Sequence, residues 1–338
     1  MIAALLSAPA AGAASVRNYD LGEITLPDPG PKGPLPVRLW GAIGVPAGPG
    51  PHPLVVVAHG RHGDNCPPAP GESFEWPCFA REQHNDLGLR HIVAALASRG
   101  VAALAPDLNA AYTIGWGEPA DERRWPRIVN RTLFELAGEV RDGGARFGLA
   151  LRGRIDLARI GLLGHSRSGH NAVRLARARA DHDEAGQIAT GQGPIDSLFL
   201  LAPVHEGVRL PDLETTVVAS RCDADVPGEA RRYLERARRD RGRDEPVFFA
   251  RLEGANHNFY NRTLSELGRD DGKFSGVPGC GMKQRLRAGA QQRWIDAIAR
   301  NFFAATLRGA ARPAWMRLRG AAPGRLYGLR VAYERLVP

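Results

Sequence analysis

The stretch GLLGHSRSGHNA, residues 161–172, sets Ser166 between an apolar run and a helix-forming run with no linker residues to spare. A serine on so sharp a turn from strand to helix presents its hydroxyl outward, and the turn needs small residues two positions before it and two after it. Gly164 meets the first need. Ser168 stands where the G-x-S-x-G pattern has its second glycine, and Gly169 follows at once. A serine hydroxyl attacks well only when a base takes its proton, and a carboxylate must hold that base in the right tautomer. GANHNFY offers His257 as the base; CDADVP offers Asp223 or Asp225 as the acid. Plainer roles compete for each. Ser166 could be a turn residue, either aspartate could cap a helix starting at 228, and His257 could be a loop histidine.

Alternating strand and helix signals surround these residues. HPLVVVAHG (52–60), VAALAPDLN, ARIGLLGHS, IDSLFLLAPV, ETTVVASRC and PVFFARLEG are apolar runs suited to strands buried on both faces. GLRHIVAALASRG, a segment over about 126–148, GHNAVRLARARA, GEARRYLERARRD and AGAQQRWIDAIARNFFAATL read as helices between and after them. That alternation predicts a mostly parallel sheet with helices on both faces, preceded by a pair of antiparallel strands within residues 17–50. In such a sheet every strand's carboxyl end points to one edge, where ligands bind. His59, Gly60, Arg61, Asp107, Ser166, Asp223 and His257 all fall at that edge.

Together these segments resemble the α/β-hydrolase superfamily, in the branch that includes dienelactone hydrolases and secreted cutinase-like polyester hydrolases. The resemblance rests on VVVAHGRHG, IDLARIGLLGHSRSGHNA, CDADVP and GANHNFY, and runs from about residue 35 to 307. The order of Ser166, an aspartate and then His257 is the order of that superfamily. The resemblance implies an α/β-hydrolase fold over residues 17–308, with 309–338 as a C-terminal appendage. It also implies a serine hydrolase that cleaves carboxylic esters through an acyl-enzyme, with Ser166, His257 and Asp223 as catalytic residues and Asp225 as the other candidate acid. The oxyanion of such a reaction needs two backbone N–H donors. Arg167, directly after the serine at a helix N-terminus, and Arg61, after the His-Gly pair, are the expected ones. Amide- or lactone-cleaving chemistry uses the same residues, and a binding protein on a hydrolase scaffold is the alternative from another class.

No cofactor and no metal is expected. His59, His62 and Asp64 suggest a metal site, but no further ligand stands at a matching spacing. His165 is expected to pack beside the turn, and Asp107 to bind backbone after its strand. Phe74, Trp76, Tyr112 and Trp116 fall in loops at the active edge and would either line an acyl pocket or cover the core.

Composition sets the outer limits. With 338 residues, 43% hydrophobic and 24% charged, the chain can bury a large core. A formal charge of +9 suits an anionic partner, yet there is no recognition helix, zinc-finger spacing or basic–aromatic stripe, so nucleic acid is not the expected partner. A small-molecule or polymeric ester is. No segment approaches the ~20 apolar residues of a membrane span. Residues 1–16, MIAALLSAPAAGAASV, resemble the apolar region and small-residue cleavage site of an export signal without its positive start. Four cysteines fit a secreted or periplasmic protein. Of the three possible pairings, Cys66–Cys78 with Cys222–Cys280 is preferred, because the loop between the first two has little regular structure of its own.

Overall fold

Val55, Val56 and Val57 send side chains alternately to the two faces of their strand, and each face finds a separate hydrophobic core. The same alternation runs along neighbouring strands, so that Leu54, Val56, Leu162 and Leu200 face one core while Val57, Leu163, Phe199 and Leu201 face the other. The computed structural model describes residues 13–28, 30, 32–62, 65–67, 76–113, 121–180, 193–318 and 320–337.

The strands are β1 (Ser15–Leu26), β2 (Leu35–Val45), β3 (His52–Ala58), β4 (Ala102–Pro106), β5 (Ile155–His165), β6 (Ser197–Leu201), β7 (Glu214–Ser220), β8 (Val247–Leu252), β9 (Gly320–Leu326) and β10 (Leu329–Leu336). They form one sheet in the order β1-β2-β4-β3-β5-β6-β7-β8-β10-β9. Strands β4, β3, β5, β6, β7 and β8 run parallel. Antiparallel strands extend the sheet on both sides. The protein is therefore α/β with a mostly parallel central sheet.

Helices cover both faces. The helices α2 (Asp121–Asp142), α3 (Arg167–Ala180) and α4 (Glu229–Ala237) bring Ile128, Leu133, Val173 and Leu234 to one core. On the other side lie α1 (Arg90–Ala97) and, after the short α5 (Arg262–Glu266), the long α6 (Ala288–Arg308), with Ile92, Leu96, Trp294 and Phe302 inward. The described part of α2 begins at Asp121, five residues before the expected start. Asp121 and Glu122 in its first turn favour a helix N-terminus there, and the helix continues through Pro126.

Residues 309–338, expected as an appendage, extend the sheet. Val331 and Tyr333 alternate inward along β10, which pairs with β8, and Trp315 of α7 (Ala314–Arg317) packs edge-on against Phe248. Of the signal-like segment 1–16, residues 1–12 lie outside the described residues, and Ser15 and Val16 begin β1. Two disulfides, Cys66–Cys78 and Cys222–Cys280, join all four cysteines and favour an oxidising compartment. No helix among the described residues is long and apolar enough to cross a membrane.

Candidate active site

Strand β5 ends at His165 and α3 begins at Arg167, so Ser166 alone makes the turn. Its φ of 55° lies in the left-handed region, which costs an L residue about 1–2 kcal/mol. Neighbouring backbone holds it there: Ser166 N–H donates to the Leu201 carbonyl at 2.9 Å, while its own carbonyl accepts from Gly169 N–H at 2.9 Å and Val204 N–H at 3.2 Å. Gly164 is obligatory, because a Cβ there would sit 2.3 Å from the Ser168 carbonyl oxygen. Gly60 is obligatory too. A Cβ on it would lie 2.7 Å from Ser166 Cβ, so the loop after β3 passes directly over the serine.

Ser168 does more than fit. Its buried hydroxyl lies 2.5 Å from the His59 carbonyl, 2.8 Å from Trp125 Nε1 and 2.5 Å from the Tyr112 hydroxyl. A hydroxyl has one proton and two lone pairs. Ser168 therefore donates to His59 and accepts from the indole N–H and the phenol O–H, with its capacity filled.

The acid and the base meet at the ends of β7 and β8. His257 Nδ1 lies 2.9 Å from Asp223 Oδ2, and both residues are buried. Asp223 uses Oδ1 to accept the N–H groups of Asp225 and Val226 at 3.0 and 2.8 Å, which fixes the carboxylate's orientation. Asp225 does not reach Nδ1. Its carboxylate, on a half-exposed side chain, lies 4.0 Å from Nε2. Neither aspartate caps α4, whose N-cap is Gly228 without a side-chain bond. Burial alone would lower the His257 pKa. The charge and hydrogen bond of Asp223, with Asp225 and Asp271 adding to them, override burial and push it up to about 9.

Asp271 is a buried residue that the sequence did not single out. It accepts N–H bonds from Ala224 at 3.0 Å, His257 at 3.2 Å and Asn258 at 3.1 Å, and so ties the acid loop to the histidine loop. The Cys222–Cys280 bridge ties the acid loop, one residue before Asp223, to the segment that follows Asp271.

His165 connects base and serine. Its ring centroid lies 4.8 Å from that of His257, and its Nε2 donates to the His257 carbonyl at 3.1 Å. Burial first, then the charges of His257 and His62, hold its pKa far below the usual imidazole value, so it is neutral. The Ser166 hydroxyl has no hydrogen-bond partner among the described residues, so no hydrogen bond joins it to His257 Nε2.

Of the two expected N–H donors, Arg167 directly follows the serine, and Arg61 follows Gly60, whose Cβ position lies 2.7 Å from Ser166 Cβ. His59 Nδ1 donates to the Gly60 carbonyl at 2.9 Å, and its Nε2 accepts from Leu108 N–H at 2.8 Å, which fixes the tautomer. Across a trans peptide the N–H points opposite to the carbonyl, so Arg61 N–H is directed away from the His59 ring. Arg167 N–H opens α3 and has no acceptor within the helix. The Arg167 side chain is turned aside, bound to Asp121 at 2.7 Å and to Glu206.

Other expected residues fall as follows. Both ring nitrogens of His59 are engaged by backbone, the pKa of the half-buried His62 is held well below the usual imidazole value mainly by desolvation, and Asp64 lies outside the described residues. Asp107 accepts the Asn109 N–H at 2.9 Å, the backbone role expected of it. Tyr112 is buried on Ser168, and Trp76 donates to the Pro36 carbonyl at 2.9 Å; Phe74 and Trp116 lie outside the described residues. Among the described residues, Glu122, His170 and Glu206 come close enough to share a metal, but Arg174 and Arg167 already pair with the two carboxylates. Compared with protein-family models and with curated proteins, the chain matches none.

Proposed function

We propose that the protein is a serine hydrolase of the α/β-hydrolase fold that cleaves carboxylic esters through an acyl-enzyme. The observation that carries the reading is the buried Asp223–His257 pair at 2.9 Å, packed against His165, the residue before a serine held at φ 55° on a strand-to-helix turn. Backbone strain at a residue with a free hydroxyl is costly, and a purely structural turn would be relieved by glycine.

In this reading His257 Nε2 takes the Ser166 proton as Oγ attacks the ester carbonyl. Asp223 keeps Nδ1 protonated and stabilises the imidazolium. Arg61 and Arg167 N–H groups bind the oxyanion; losing one such donor costs about 3–4 kcal/mol of barrier. The imidazolium then protonates the leaving alcohol, and water repeats the sequence on the acyl-serine. The two disulfides support export, to the periplasm or outside the cell, as the setting for a small or polymeric ester substrate.

The test is covalent labelling. A fluorophosphonate added to the folded protein is expected to modify Ser166, mapped by peptide mass spectrometry, at a rate that falls at least ~100-fold in His257→Ala. Label on another residue, or equal rates in the two proteins, would refute the proposal.

A further inference from the structure

Residues 82–86, EQHND, alternate two kinds of side chain. Gln83 Nε2 donates to Asn85 Oδ1 at 2.7 Å, and Asn85 Nδ2 donates to Asn109 Oδ1 at 3.1 Å, forming a net of amides on one side. Glu82, His84 and Asp86 gather instead around Asp107, just past the end of β4. His84 Nδ1 lies 3.4 Å from Asp86 Oδ1, and one donor atom each of His84, Asp86 and Asp107 fall within 4.8 Å of one another. The Glu82 carboxyl lies close enough to Asp107 for their charges to interact.

Asp86 is the anomaly. Its side chain is fully buried, yet neither carboxylate oxygen receives a hydrogen bond. His84 Nδ1 at 3.4 Å pairs with Asp86 by charge without hydrogen-bond geometry; Glu82 Oε1 and the Tyr19 hydroxyl are likewise buried without a hydrogen bond, and Tyr19 feels the charges of Asp86 and Asp107. Buried carboxylates are ordinarily paired or bound to metal. Among the described residues no arginine or lysine forms an ion pair with these three. Arg38, whose charge reaches Glu82 and His84, is engaged by Asp20 and Glu23.

We propose that His84, Asp86 and Asp107, with Glu82 adjoining them, bind a divalent transition-metal ion, Zn2+ or Mn2+. Metal–ligand bonds of about 2.0–2.2 Å put neighbouring donors ~3–3.6 Å apart, which the 3.4 Å between His84 Nδ1 and Asp86 Oδ1 matches. One imidazole among carboxylates suits these ions better than Ca2+, which takes oxygen ligands. The outer shell is built: Asn109 donates its N–H and Nδ2 to the two oxygens of Asp107 at 2.9 and 3.0 Å. His84, with 38% of its side chain exposed beside Trp40, provides the entry. The ion would clamp loop 82–86 to the end of β4, whose next residue but one, Leu108, bonds His59 in the loop over Ser166.

The full-length protein, stripped with a chelator and dialysed, is titrated separately with Zn2+, Mn2+ and Ca2+, reading bound metal by mass spectrometry and the Tm. One equivalent of Zn2+ or Mn2+ per chain is expected, with a raised Tm. Asp86→Asn is expected to weaken uptake at least tenfold while raising the Tm of the stripped protein, because it removes a buried carboxylate whose oxygens receive no hydrogen bond. His84→Ala, at the exposed rim, weakens uptake as well and serves where Asp86→Asn does not fold. Uptake by wild type no greater than by these variants, or uptake of Ca2+ alone, overturns the proposal.

Discussion

Ser168 Oγ donates to the His59 carbonyl at 2.5 Å, joining the turn that carries Ser166 to the loop that passes over it. Restoring the usual glycine at this position would therefore harm the protein. Ser168→Gly leaves the buried Trp125 N–H, Tyr112 O–H and His59 carbonyl each short of a partner, a loss of ~2–4 kcal/mol in chemical denaturation. In the proposed reaction kcat should fall at least tenfold with KM nearly unchanged, because the loop that carries Arg61 N–H is released. Unchanged stability and kcat would reduce Ser168 to a spacer.

The raised pKa of His257 sets the expected pH profile. The base must be neutral, so kcat/KM should climb as pH rises above 7, with its inflection near 9 and well above the ordinary 6.5. Asp225→Asn removes one negative charge 4.0 Å from Nε2, shifting the inflection to lower pH and raising activity at pH 7. The stability linkage has the opposite sense: protonated His257 stabilises the fold fully below about 6.5, and this is lost as pH rises through about 9. An inflection at or below 6.5 would contradict this electrostatic picture.

Asp271→Ala removes the acceptor for three N–H groups from two loops. The expected cost is ~2–4 kcal/mol of stability, since hydrogen bonds to charged groups are the stronger kind. It should also lower kcat in the proposed reaction, because Asp223 and His257 then lose their common anchor. Thermal melts and steady-state kinetics on the same preparation would read both.

The two disulfides close loops of unequal size, with separations of 12 and 58 residues. Loop-closure entropy predicts a loss of about 3 kcal/mol for opening Cys66–Cys78 and about 4 kcal/mol for Cys222–Cys280. Only the second adjoins Asp223, so Cys222→Ser with Cys280→Ser should lower kcat as well as the Tm. Equal kinetic effects from both pairs would argue against a link between the bridge and the acid.

What the sequence disclosed follows from locality. Ser166, His257 and the strand ends around them lie in short runs whose polar residues interrupt apolar ones, so the edge of the sheet could be read directly. The choice between Asp223 and Asp225 could not, because two residues along a loop point in different directions and only the fold decides which meets Nδ1. Ser168 was legible as a deviation but not as a hydrogen-bond centre, since Tyr112 and Trp125 reach it from 56 and 43 residues away. Asp271 binds backbone, which leaves no pattern in side-chain spacing. Glu82, His84 and Asp86 did leave one, alternate residues of a loop, but without Asp107 from the end of β4 it does not describe a site. The strand pair at the C-terminus, read from the sequence only as an appendage, needs β8 as its partner to be recognised.

Hydrolysis of p-nitrophenyl esters from C2 to C12 by the wild type and by Ser166→Ala tests the central claim most directly. The account predicts turnover by the wild type and a loss of at least ~1,000-fold in kcat on removing the hydroxyl, with the fold intact by circular dichroism. A folded wild type that turns over none of these esters, or a Ser166→Ala variant that keeps the activity, would contradict it.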